Sequence, residues 1–150
     1  MLSLPAAARE EMRRDAAGLP GSDPGTERVL PALLAWLSRA QDLSASADGG
    51  VARDFSLLHG WSSSYPETTG YIAPTLFEYA RRTGDAALRE RALRMTDWLV
   101  SIQLASGAFQ GGKIDSTPVV PVTFNTGQIL LGLAAAEVET GRYREPMRRA

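Results

Sequence analysis

Trp98-Leu99-Val100-Ser101-Ile102-Gln103, with Gly111-Gly112 downstream, repeats Trp36-Leu37-Ser38-Arg39-Ala40-Gln41 with Gly49-Gly50, and the five shared residues all stand 62 positions apart. A second set of matches is independent of the first. Thr69-Gly70 with Thr83-Gly84 returns as Thr126-Gly127 with Thr140-Gly141, 14 residues between dipeptides in each copy and 57 between copies. Self-similarity at a period near 60 marks a chain that stacks one supersecondary unit on the next. The unit reads as an apolar helix, a Thr-Gly turn, an amphipathic helix carrying Trp-Leu-x-x-x-Gln near its end, and a glycine-rich loop. That is a helical hairpin with an inner and an outer member.

The flanking sequence fits this unit. Residues 86–103 carry Leu88, Ala92, Met95, Leu99 and Ile102 at steps of four, three, four and three, with Arg89, Glu90, Arg91, Arg94 and Asp97 elsewhere, so one face is apolar and one wet. Upstream, Leu30, Leu33, Leu34, Leu37 and Ala40 recur at helical spacing, and Thr26 stands where an N-cap is expected. Residues 69–80 are largely apolar, with Pro74 expected in the first turn of their helix and Thr83-Gly84 at its end. The run from Thr126 to Glu139 is almost continuously apolar, the pattern of a helix covered on all sides, and Gly141 closes it. Residues 6–18 predict a short Ala- and Arg-rich helix, and the breakers from Leu19 to Gly25 make a linker. Residues 55–66 show no clear period, and 117–122 read as a short strand or a loop. The expected organisation is an arm and linker over 1–25 and a hairpin domain over 26–150, with the next outer helix beginning at Tyr143.

Composition excludes several kinds of chemistry. The 150 residues, 44% hydrophobic, suffice for a single core. A formal charge of −1, from 16 basic and 17 acidic residues, gives no net pull toward nucleic acid or anionic membrane. Absence of cysteine removes disulfides, thiolate metal sites and thiol nucleophiles, and His59 is the one histidine. Neither a metal nor an organic cofactor is expected. With no secretory h-region near the start and no stretch of 18 apolar residues, the expectation is a cytoplasmic protein without a membrane span.

The stretch from Trp98 to Phe109, W-L-V-S-I-Q-L-A-S-G-A-F, resembles the QW-type repeat of terpenoid cyclases and related α/α toroids, with Phe109 where that repeat usually has Trp. Similar helix-end signatures occur in six-hairpin glycoside hydrolases, polysaccharide lyases and glucuronyl epimerase-like proteins. The resemblance covers residues 29–145 and implies an all-α chain of tandem αα-hairpins forming an incomplete α/α toroid. Six units at the observed offsets would need about 342 to 372 residues, so the chain supplies about two hairpins. It is expected to be part of a longer protein, or to be completed by a partner chain or further copies of itself. Fold does not settle function. Three readings follow: a glycan-binding or glycan-processing protein, a terpenoid-cyclase or prenyltransferase-like protein, and a non-catalytic helical-repeat interaction module.

In such toroids the pocket lies at one end of the inner helices. The repeat sets Thr68 opposite Asn125 and Tyr71 opposite Gln128 at equivalent N-terminal positions, where backbone donors and the helix dipole suit hydroxyl-rich or anionic ligands. Glu67 is the candidate general acid or base; Trp61, Tyr65 and Tyr71 could stack on a sugar ring. Arg53 and His59 complete the candidate set, His59 as a proton carrier near neutral pH. Each has a structural reading: Thr68 or Thr69 and Asn125 as caps, Glu67 as a dipole partner, the aromatics as packing between hairpins. Trp36, Trp98, Gln41 and Gln103, recurring at one place in each unit, are assigned to the scaffold.

Overall fold

Proline, aspartate and glycine set the helix boundaries. Pro66 takes the first position of α3 (Pro66–Thr83), where its missing N–H costs nothing, and Gly84 ends that helix in the left-handed region at φ 74°. Asp85 then caps α4 (Ala86–Ser101), its carboxylate accepting from the Leu88 N–H at 3.1 Å. Gly141, at φ 70°, ends α5 (Thr123–Thr140) as Gly84 ends α3. The computed structural model describes residues 4–18 and 21–150. Its remaining elements are α1 (Ala6–Ala17), α2 (Thr26–Asp42), a small antiparallel pair β1 (Phe55–Ser56) and β2 (Gly60–Trp61), and α6 (Arg144–Arg149). Among the described residues the chain is thus all-α apart from that pair and two isolated bridges.

Four expectations about these elements change. Gly25, not Thr26, is the N-cap of α2, and Thr26 is its first helical residue. Pro74 lies inside α3 rather than in its first turn, because Pro66 already opens the helix. Asn125 is the third residue of α5, whose cap is Val122. Nor is α5 covered on all sides: Phe124, Leu131 and Val138 are 63%, 53% and 82% exposed. An uninterrupted apolar run reports that no face is polar, not that every face has a neighbour.

The core lies where α3 packs on α5 and α4. Leu88, Ala92, Met95 and Leu99 of α4 are all buried, as their spacing predicts, against Ala73, Leu76 and Phe77 of α3 and Ile129 and Leu133 of α5. Helix α3 approaches α5 backbone to backbone. A Cβ at Gly70 would come within 2.6 Å of Ile129 Cα, and one at Gly132 within 2.4 Å of the Gly70 carbonyl oxygen. Pro74 explains why that carbonyl is free: it stands four residues on and has no N–H to give it. Gly132 packs its Cα over the vacated oxygen.

The two units repeat in their bonds as well as their letters. Thr69 Oγ1 accepts from the Val51 N–H at 2.9 Å and donates to the Tyr65 carbonyl at 2.9 Å. Thr126 Oγ1 accepts from the Phe109 N–H at 3.0 Å and donates to the Val122 carbonyl at 3.0 Å. Tyr65 N–H to Val51 and Val122 N–H to Phe109 close the two loops in the same manner, and isolated bridges join Ala52 to Ser64 and Gln110 to Pro121. Gln41 Nε2 donates to the carbonyls of Gly49 and Arg91, and Gln103 Nε2 to those of Gly107 and Pro146. Each glutamine ties its own loop to the following outer helix. This pairing corrects one alignment: Gly49 corresponds to Gly107, not to Gly111. The loop after Gln41 spends eight residues reaching its glycine and the loop after Gln103 only four, which shifts the offset from 62 to 58. Trp98 seats on the first loop, so close that a Cβ at Gly50 would meet its ring at 2.5 Å. Trp98 is accordingly 5% exposed, whereas Trp36 is 45% exposed.

Candidate functional site

The N-terminal ends of α3 and α5 are built alike because the same threonine anchors the loop beneath each. Glu67 and Thr68 in the first turn of α3 are half-buried; Thr68 Oγ1 donates back to the Tyr65 carbonyl at 3.2 Å. Glu67 has neither an ion pair nor a side-chain hydrogen bond among the described residues. Tyr71 stands 42% exposed one turn further on, and Gln128, its counterpart on α5, is half-buried. Asn125 is only 5% exposed, and its Nδ2 has no hydrogen-bond partner among the described residues. The two helices make their closest approach at Gly70, Ile129 and Gly132, within the first three turns of each, so their N-terminal ends share one rim.

The loops around the rim are held by short polar contacts. Arg53 sets its guanidinium over the Tyr65 ring at 5.7 Å and lies 3.7 Å from Asp54. The glycine-rich loop of the second unit docks on the serine run of the first. The Ile114 N–H donates to the Ser64 carbonyl at 2.8 Å, and Ser63 Oγ to Asp115 Oδ2 at 2.6 Å. The Ser63 hydroxyl, with Lys113 nearby, holds the Asp115 carboxyl below its ordinary value of 3.8. Gln110 Nε2 closes the same loop onto the Lys113 and Ile114 carbonyls.

Two candidates take other places. Trp61 belongs to an aromatic trio, 4.7 Å from Trp36 and 5.0 Å from Phe55 between ring centroids, which seats the β1–β2 pair on α2. His59 is exposed in the turn between β1 and β2, where its backbone N–H donates to Ser56 Oγ. The structure therefore brings Tyr65 and Arg53 together, and groups Glu67, Thr68, Tyr71, Asn125 and Gln128 on two neighbouring helix starts. Trp61 and His59 ride on the β pair.

Sequence reasoning missed one polar cluster. The Ser64 hydroxyl, fully buried, lies 2.7 Å from Ser44 Oγ and 3.0 Å from Ser46 Oγ, and donates to Asp48 Oδ1 at 2.6 Å. Asp48 also accepts from the Gly50 N–H at 3.1 Å. The group acts as a clasp that folds residues 44–50 onto the segment leading into α3. Among the described residues no three His, Asp or Glu side chains gather to hold a metal ion, and no helix is long and apolar enough to cross a membrane. Comparison of the chain with protein-family models, with curated proteins and with solved structures finds no match.

Proposed function

We propose that this chain is part of an α/α-toroid protein and binds a glycan at the rim formed by the N-terminal ends of α3 and α5. The observation that carries the reading is Asn125, a nearly buried amide whose donor has no partner among the described residues. Leaving such a donor unsatisfied costs about 1–3 kcal/mol, a penalty that a ligand hydroxyl relieves once the side chains covering the amide part to admit it. Thr68 and Gln128 add hydroxyl and amide groups, and the exposed Tyr71 ring adds a stacking face. Glu67, free of a counter-ion among the described residues, is the group available for proton transfer, and a hydrolytic role would require a second carboxylate across the substrate. The polarity of this rim favours a sugar over an isoprenoid.

The test is a titration of isotopically labelled chain with neutral and uronate-containing oligosaccharides, followed by amide chemical shifts. Shifts centred on Thr68, Tyr71, Asn125 and Gln128, weakened roughly 2–10-fold by Asn125→Ala for the loss of one hydrogen bond, support the proposal. No shifts at millimolar sugar, or shifts confined to α2, reject it.

A further inference from the structure

The socket that Trp98 fills in the first unit stands open in the second. In the first, a Cβ at Gly50 would lie 2.5 Å from Trp98 Cζ3, 2.6 Å from Cη2 and 2.7 Å from Ser64 Cβ, so the indole rests its six-membered edge on Gly50 beside Ser64. In the second, Ala108, Pro121, Val122, Thr123, Thr126 and Ala150 line a cavity of about 250 Å³. The bonds shared by the two units identify the first five of these with Gly50, Ser64, Tyr65, Pro66 and Thr69. Helix α6 identifies the sixth. Its Pro146 carbonyl accepts from Gln103 as the Arg91 carbonyl accepts from Gln41. A Cβ at Gly107 would strike the Arg149 carbonyl, and one at Gly49 would lie 3.6 Å from the Arg94 carbonyl. Both pairs of carbonyls are 55 residues apart, which sets Ala150 in the place of Met95. Helix α6 thus follows the path of the first half of α4, and the position equivalent to Trp98 falls three residues past Ala150, outside the 150 residues of the chain.

What the cavity accepts follows from its walls. None of the six lining residues is charged. The Thr126 hydroxyl is committed, accepting from the Phe109 N–H and donating to the Val122 carbonyl, and the Val122 N–H goes to the Phe109 carbonyl, so the walls favour an apolar occupant. Ala108 sets its size. Its methyl takes the space that Gly50 leaves to Trp98 Cζ3 and Cη2, so a ring entering from the same helix face must stop short by that edge. We infer that this cavity takes the phenyl ring of a phenylalanine, carried by a helical segment that continues α6 as the second half of α4 continues the first. The inference rests on the reading of the chain as part of a longer array, not on the sugar, since no residue of the glycan rim lines the cavity.

A copy of Thr96–Gln103 appended directly after Ala150 keeps the register of α4 and delivers a side chain to the cavity. Three such extensions of the full chain are compared by urea unfolding: one retains the tryptophan of that copy, one has phenylalanine in its place and one has alanine. The phenylalanine form is expected to exceed the alanine form in folding equilibrium constant by roughly tenfold or more, the order for burying one ring, and to exceed the tryptophan form as well. With Ala108→Gly in all three, the tryptophan form is expected to become the most stable. Equal stability of the phenylalanine and alanine forms overturns the inference, because the cavity then takes no ring. So does a tryptophan form that exceeds the phenylalanine form without Ala108→Gly, or an order that Ala108→Gly leaves unchanged, because Ala108 then sets no limit. Should the Ala108→Gly chains fail to fold, the three forms without that change decide alone. None of these outcomes bears on the oligosaccharide titration, which reads the rim rather than the cavity.

Discussion

Tyr143 shows what a single side chain contributes at the junction of α5 and α6. Its ring is 2% exposed, its hydroxyl donates to Asp97 Oδ1 at 2.5 Å, and its backbone N–H donates to Glu137 Oε2 at 2.7 Å. Burial, then the bond to Asp97 and that residue's charge, push the phenol above its ordinary value of 10.0. A raised value means that the folded chain favours the protonated phenol. The associated stability is complete below the unfolded value, near 10, and is lost as pH rises through the folded value. Tyr143→Phe is therefore expected to cost about 0.5–1.5 kcal/mol near neutrality, for the lost hydrogen bond, and to flatten the decline above pH 10. Urea midpoints from pH 7 to 11 check this, and parallel alkaline decline in both proteins would refute it. Nothing in the sequence marked Tyr143 for this role beyond its place where an outer helix begins, because Asp97 lies 46 residues away.

Among the helices, the contrast between equivalent glycines gives the sharpest expectation. Gly70 and Gly132 let α3 and α5 touch backbone to backbone, so Gly70→Ala or Gly132→Ala forces a shift of main chain and should destabilise by about 1–3 kcal/mol. Gly127→Ala meets open space in a helix interior, where alanine is favoured by roughly 0.5–1 kcal/mol, and should stabilise the dilute chain. Denaturant melts of the three variants decide it; a destabilising Gly127→Ala would mean that the face is already covered. At this scale much was legible. The stripe of α4 and the glycine stops of α3 and α5 depend on neighbours within a turn or two, which spacing records. Pro74 misled because Pro66 already opens the helix, and the carbonyl that Pro74 frees, that of Gly70, lies against Gly132, 58 residues on. Leu33 misled for a related reason: helical periodicity placed it in an apolar stripe, yet it is 55% exposed, and among the described residues no other helix packs closely on α2.

For the whole molecule, the equivalence of Thr68 with Asn125 and of Tyr71 with Gln128 was readable from the repeat. The burial of Asn125 was not, since the run around it is apolar on every face and no period singles out the stripe of Asn125, Ile129 and Gly132 that is buried. The serine clasp was equally hidden, its contacts spanning 16 to 20 residues with no periodic signal. What unites these features is that one hairpin design is built twice, each copy locking its loop through a threonine hydroxyl at the start of the inner helix. Hydrogen exchange at the Val51 and Phe109 amides tests this most directly. Both lie in loops, and both donate to buried threonine oxygens, at 2.9 and 3.0 Å. The expected result is protection of both to a similar degree, comparable with amides in the middle of α3 and α5. If one is protected while the other exchanges at the rate of an open loop, the two units are not the same structure and the repeat is confined to the letters of the sequence.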